Sequence, residues 1–154
     1  IYLYVHAFFN FGTTMKKTEE LFHNCLYFTA NSLARKITRM AEDCFKITGL
    51  SPSHALLLML VNDHPGIGPK LLGDYLNLAP STVTRFVDTL IYKGCLEKHT
   101  SGKNTFIEIT AQGKELLEPI QAAWKSLYYK YSDILGEEKG QTLTAELDLA
   151  SKKL

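Results

Sequence analysis

Three cysteines in 154 residues, Cys25, Cys44 and Cys95, are too few and too unevenly spaced to organise a fold. An odd number with no C-x-x-C pair argues against both a disulfide framework and a zinc ribbon, and it suits a reducing cytoplasm. Long apolar runs are missing as well. The aromatic-rich stretch from Ile1 to Phe11 falls well short of the ~20 residues that a membrane helix requires, so no membrane association is expected. That stretch has neither the positively charged start nor the small-residue cleavage site of a secretory signal. Met15, followed by Lys-Lys-Thr-Glu-Glu, reads as a better natural start, which makes residues 1–14 an N-terminal extension that need not be native. If native, its aromatics would require a partner to cover them. Catalytic signatures are absent too: there is no G-x-S-x-G, no glycine-rich phosphate loop and no Cys-His or carboxylate pair at a working distance, so no enzyme is expected. His23, His54, Asp63 and His64 show no paired spacing along one helix, and neither a metal nor a cofactor is expected.

Excess charge of one sign is also lacking, since the whole chain carries a net +1. The balance is uneven along the chain, however. From His64 to Asn104, five bases (Lys70, Arg85, Lys93, Lys98, Lys103) face three acids (Asp74, Asp88, Glu97), giving +2, whereas from Ala111 to Leu154 six bases face seven acids, giving -1. A localised contact surface doubled by dimerisation fits this distribution better than a broad polybasic patch.

What the sequence does contain is a central unit, Ile67 to Thr110, that reads as two short helices, a tight turn and a small hairpin. Gly73 is small where two crossing helices must approach, and Asn77 tolerates the left-handed backbone that the connecting turn needs. Val83 is the apolar anchor of the second helix. Pro80, Ser81, Thr82, Thr84 and Arg85 surround it at the N-terminal end, where a recognition helix meets base edges and phosphates. The hairpin strands read as Leu96–Thr100 and Thr105–Thr110, with Ile107 and Ile109 alternating against Glu108. Its tip, Ser101-Gly102-Lys103-Asn104, presents Lys98, His99 and Lys103 as candidate DNA contacts.

The flanks read as helical. Apolar residues recur at three and four from Leu21 to Cys44, predicting one helix from Thr18, its N-cap, to about Ile47. Gly49 ends it. Ser51 and Pro52 start a helix that is apolar nearly all round and should be buried. Thr110 caps a long helix to about Leu135 with a kink at Pro119, Gly136 breaks it, and a last helix repeats Leu143, Leu147, Ala150 and Leu154. The expected fold is therefore mainly α with a small β wing. Its parts are an N-terminal dimerisation helix (15–50), a winged helix-turn-helix (51–110) and C-terminal dimerisation helices (111–154). The flanking helices carry more apolar surface than a winged helix can cover, so a homodimer is expected.

Three segments resemble the MarR family of bacterial transcription regulators: STVTRFVDTLIYKG (Ser81–Gly94) is similar to its recognition helix, ITAQGKELL (Ile109–Leu117) to its exit from the wing, and LGEEKGQTL (Leu135–Leu143) to the start of its last helix. The similarity runs from about Leu21 to Leu154. It implies a dimer with paired recognition helices in adjacent major grooves of a near-palindromic operator, acting as a ligand-responsive repressor. It also implies an effector cleft for phenolic or lipophilic acids, lined here by Phe22, Tyr27 and Phe28 on the first helix and Trp124, Tyr128 and Tyr131 on the fifth. Peroxide-sensing members place a thiol in the first helix, which makes Cys25 a candidate redox residue although it stands about two positions away, counted back from Leu50. The wing departs from the family, lacking the Asp and Arg pair near its tip, so its minor-groove contacts are expected to be weak. Two alternatives remain at this stage: a winged-helix protein-interaction scaffold that does not bind DNA, and a thiol-based sensor using Cys25.

Overall fold

The computed structural model describes residues 20, 22–102 and 104–154. Two compact units divide between Arg39 and Met40. Thr18, Leu21, Lys103 and the 1–14 extension lie outside the described residues.

In the first unit, the helix expected from Thr18 is interrupted. Helix α1 runs Leu26–Phe45, and Asn24 and Cys25 stand outside it. At the break Asn24 N and its side-chain amide both donate to the Glu20 carbonyl, at 3.2 and 2.9 Å, whereas Cys25 N reaches back only three residues, to the Phe22 carbonyl at 3.5 Å. Only the end of α1, from Met40, belongs to the second unit, where Ala41, Cys44 and Phe45 are buried. A 3₁₀ turn at Lys46–Thr48 follows, closed by Gly49 in the left-handed conformation, φ 66°.

Helix α2, Pro52–Asp63, begins as its sequence requires, with Ser51 Oγ accepting from the His54 amide and proline in the first turn. Ala55, Leu57, Leu58 and Val61 are buried, so α2 forms the centre of the core. Helices α3, Pro69–Leu76, and α4, Pro80–Tyr92, make the helix-turn-helix. Asn77 adopts φ 51°, and a β-carbon on Gly73 would stand 3.0 Å from the Leu78 carbonyl and 3.4 Å from Val83. Both residues thus do what their position in the motif predicts, holding the turn tight enough for Val83 to be fully buried.

Strands β1, Leu96–Ser101, and β2, Asn104–Ile109, pair antiparallel, with Leu96 opposite Ile109 and Ser101 opposite Asn104. Each reaches one residue further toward the tip than the turn-forming composition suggests. Ile107 also bridges Ile67, an extra pairing that ties the wing to the start of the helix-turn-helix.

The helix after the wing is broken too. Thr110 caps it, its Oγ1 accepting from Gly113 N at 3.0 Å, but α5 covers only Ala111–Glu115 and α6 runs Leu117–Leu135. The break falls at Leu116 rather than at Pro119. Proline has no N–H and its ring conflicts with the carbonyl four residues earlier, Glu115, so the disruption appears in the preceding turn. Ile120, Ala123 and Leu127 of α6 are buried. Gly136, φ 85°, separates α6 from α7, Glu137–Lys153, whose Gly140 packs against the Tyr131 ring. Among the described residues no single helix is long and apolar enough to cross a membrane.

Candidate nucleic-acid interface

The surface of α4 is ordered by its own periodicity. Val83, Val87 and Leu90 are buried, while Ser81, Thr84, Arg85, Asp88 and Tyr92 form one exposed stripe at intervals of three and four residues. Pro80 is exposed at the helix start and Thr82 is half-buried. No side chain caps this N-terminus, where the N-cap is Ala79. The Thr84 hydroxyl donates to the Pro80 carbonyl at 3.0 Å and keeps its lone pairs free to accept. Arg85 has no ion pair or side-chain hydrogen bond among the described residues, so its guanidinium is available to an external group.

The wing residues are placed differently. Lys98 Nζ lies 3.9 Å from Asp88 on α4, and His99 Nε2 lies 3.7 Å from Glu97. Both candidate contacts of β1 therefore stand beside acids, and Lys103 lies outside the described residues. Lys93 is exposed, and its Nζ donates to the Gly49 carbonyl at 3.3 Å, a bond to a neutral group that leaves its charge in place. A shallow concavity of about 360 Å³ lies where Gly68, Pro69 and Lys70 at the start of α3 meet Asn104, Thr105 and Phe106 of β2.

Asp88 and Tyr92 were not singled out by the sequence, although they continue the same α4 stripe. Gln112 was missed as well: its Nε2 donates to the Lys93 carbonyl at 3.2 Å, closing the end of α4 against α5. No local pattern marks that pairing, because it joins residues 19 positions apart.

The aromatic residues expected around an effector cleft fall in the two units, each with its own surroundings. In the first, Phe22 stacks on Phe28 with ring centroids 4.8 Å apart, while Tyr27 is 78% exposed. In the second, Trp124 packs edge-on against Phe45 at 4.7 Å, and Tyr128 donates to Glu137 Oε1 at 2.8 Å while meeting Tyr131 edge-on at 5.5 Å. The Trp124 indole N–H is buried with no partner among the described residues. Cys25 is a free, half-buried thiol at the break before α1, so it is neither helical nor fully buried. Cys44 and Cys95 are buried, and burial pushes the Cys95 thiol up, keeping it protonated and unreactive.

A helix-turn-helix whose second helix exposes a polar stripe, followed by a two-stranded hairpin, defines the winged-helix class. Residues 50–104 match the MarR family model. Two solved structures share the fold over most of both chains. The transcriptional repressor CouR bound to p-coumaroyl-CoA is 15% identical with a TM-score of 0.80, covering 87% of this chain and 96% of CouR. The MepR–DNA complex of S. aureus is 14% identical with a TM-score of 0.73, covering 83% and 96%. A riboflavin kinase of Thermococcus kodakarensis is 34% identical over 71 residues, 42% of this chain and 34% of the kinase. The chain thus spans about a third of the length of that curated relative.

Proposed function

We propose that the protein is a transcriptional regulator that binds double-stranded DNA sequence-specifically as a homodimer, with α4 entering the major groove. The observation that carries this reading is the α4 stripe: Ser81, Thr84 and an unpaired Arg85 beside a helix N-terminus that no side chain caps. Short donors and acceptors suit base edges, a guanidinium can engage guanine through two donors, and free first-turn amides suit phosphate. Pro80 and Thr82 shape the same end of the helix. The wing has a smaller role, because Lys98 and His99 already stand beside acids. A protein-interaction scaffold would not need an exposed, unpaired cation at this point, and no enzymatic activity is proposed.

The homodimer reading is supported by exposed apolar residues on the last two helices, among them Ile134 at 71% and Leu147 at 43%. A ligand-responsive repressor is the regulatory mode proposed. Its support is the fold shared with a repressor that binds p-coumaroyl-CoA, together with the buried, unpartnered Trp124 indole N–H, which would gain an acceptor from a bound acid.

The test is binding of the full chain to random duplex across a salt series. The expected result is measurable binding at low salt that weakens linearly on logarithmic axes as phosphate contacts release counterions. No binding at low salt would favour the scaffold.

A further inference from the structure

Strand alternation sorts the wing into two faces. Leu96 and Lys98 of β1, with Thr105, Ile107 and Ile109 of β2, lie on the face turned toward the helices, which leaves Glu97 and His99, with Phe106 and Glu108, on the outer face. On that outer face Glu97 stands directly opposite Glu108. Like charges in directly opposed positions destabilise an antiparallel pair, and among the described residues no lysine or arginine relieves them, since Lys98 is turned to Asp88. His99 lies two residues along β1 from Glu97. One imidazole nitrogen and two carboxylate oxygens thereby come within 4.8 Å of one another.

We propose that Glu97, His99 and Glu108 bind a divalent transition-metal ion, with Zn²⁺ as the best match. An imidazole nitrogen with carboxylate oxygens is a zinc donor set, whereas Mg²⁺ and Ca²⁺ prefer oxygen alone and would leave His99 without a role. Ligands about 2.0–2.2 Å from a tetrahedral zinc stand about 3.3–3.6 Å apart, so the observed spread closes with small rotations of three exposed side chains. A closed structural site would use four protein ligands and bury them. Here three exposed ligands leave at least one coordination position to water.

The ion would also change the wing's charge. Two ionised carboxylates become a locally neutral group, so a face that repels phosphate no longer does so, and the open coordination position can accept a phosphate oxygen. This second step rests on the DNA-binding reading above, whereas the site itself does not. Sequence spacing along a helix could not reveal the trio, because an E-x-H on one strand meets the third ligand only through the register of the hairpin.

The experiment is calorimetric titration of the chelator-treated full chain with ZnCl₂ at a pH where histidine is neutral, repeated with Co²⁺ followed by visible absorption. The same titration is run on Glu108→Gln and His99→Ala, both at exposed positions, with circular dichroism to check that folding is intact. Wild type should take up one ion per chain at this site with tetrahedral or five-coordinate Co²⁺ bands, and each variant should bind at least about tenfold more weakly. A wild type that takes up no ion at sub-millimolar concentration would overturn the proposal. Variants that keep the wild-type isotherm would also overturn it, because the ion would then sit elsewhere. Random-duplex binding with and without ZnCl₂ separates the second step: tighter binding for wild type but not for Glu108→Gln supports it. Intact ion uptake with unchanged DNA affinity rejects the coupling and leaves the site. Failure of wild type to bind duplex under any condition rejects the DNA reading while calorimetry still decides the site.

Discussion

Gly113 lies so close to the Cys95 carbonyl that a β-carbon there would overlap the oxygen and press on the Ile109 side chain. This contact fixes where α5 leaves the wing, because the same Cys95 carbonyl accepts from Thr110 N at 3.1 Å and Thr110 Oγ1 donates to the Gly94 carbonyl at 2.6 Å. Gly113→Ala should therefore destabilise the protein by about 3 kcal/mol, as an overpacked rigid site does, even though alanine is the better helix former by about 1 kcal/mol. The urea unfolding midpoint measures this. An unchanged midpoint would show that the backbone here can move aside.

His54 gives the fold a pH dependence of definite sign. Its ring packs on Phe86 at 4.4 Å, its Nδ1 lies 2.6 Å from Ser51 Oγ, and its Nε2 is buried without a partner among the described residues. Burial first, and then the positive charge of Lys93, hold its pKa below the ordinary histidine value. The folded state thus favours the neutral ring. As pH falls through about 6.5 the unfolded chain takes up a proton that the folded one refuses, so stability is full above that pH and declines below it until the folded ring titrates. Unfolding free energies at several pH values between 5 and 8 should show a smaller decline for His54→Leu than for wild type. Parallel curves would remove His54 as the cause.

Leu143 and Leu147 remain exposed along α7, at 37% and 43%, on a helix that would otherwise have no reason to repeat leucine. Covering such rows in a stable dimer calls for an interface above ~2,000 Å². Light scattering at micromolar concentration should give twice the chain mass, and Leu147→Glu should shift it toward the single chain. A wild-type monomer would contradict the dimer.

Much of this fold could be read from single residues whose chemistry admits few alternatives. Ser51 and Thr110 cap helices, Gly49, Asn77 and Gly136 take left-handed or other positive-φ conformations, and Gly73 permits the close crossing of α3 and α4. The breaks at Cys25 and Leu116 were harder to see because the apolar periodicity continues through both. No side chain marks the first break, since Asn24 bonds its amide to a carbonyl four residues back as Asn31 does inside α1, and Pro119 disrupts the turn before it rather than its own position. At the candidate interface the exposed side of α4 follows directly from helical spacing around Val83. The placing of Lys98 beside Asp88, the use of Lys93 to hold Gly49, and the opposition of Glu97 and Glu108 all depend on contacts between elements, which no local pattern encodes.

The central claim is that α4 reads DNA, and Arg85 tests it most directly because it is exposed, unpaired and absent from the core. Wild type and Arg85→Ala should be titrated against a selected operator and against random duplex, with circular dichroism to confirm folding and light scattering to confirm an unchanged assembly. The account predicts a loss of about 1–3 kcal/mol per half-site on the operator and a smaller loss on random duplex, with Ser81→Ala and Thr84→Ala weaker in the same direction. A folded Arg85→Ala protein that binds the operator as tightly as wild type would contradict recognition by this helix.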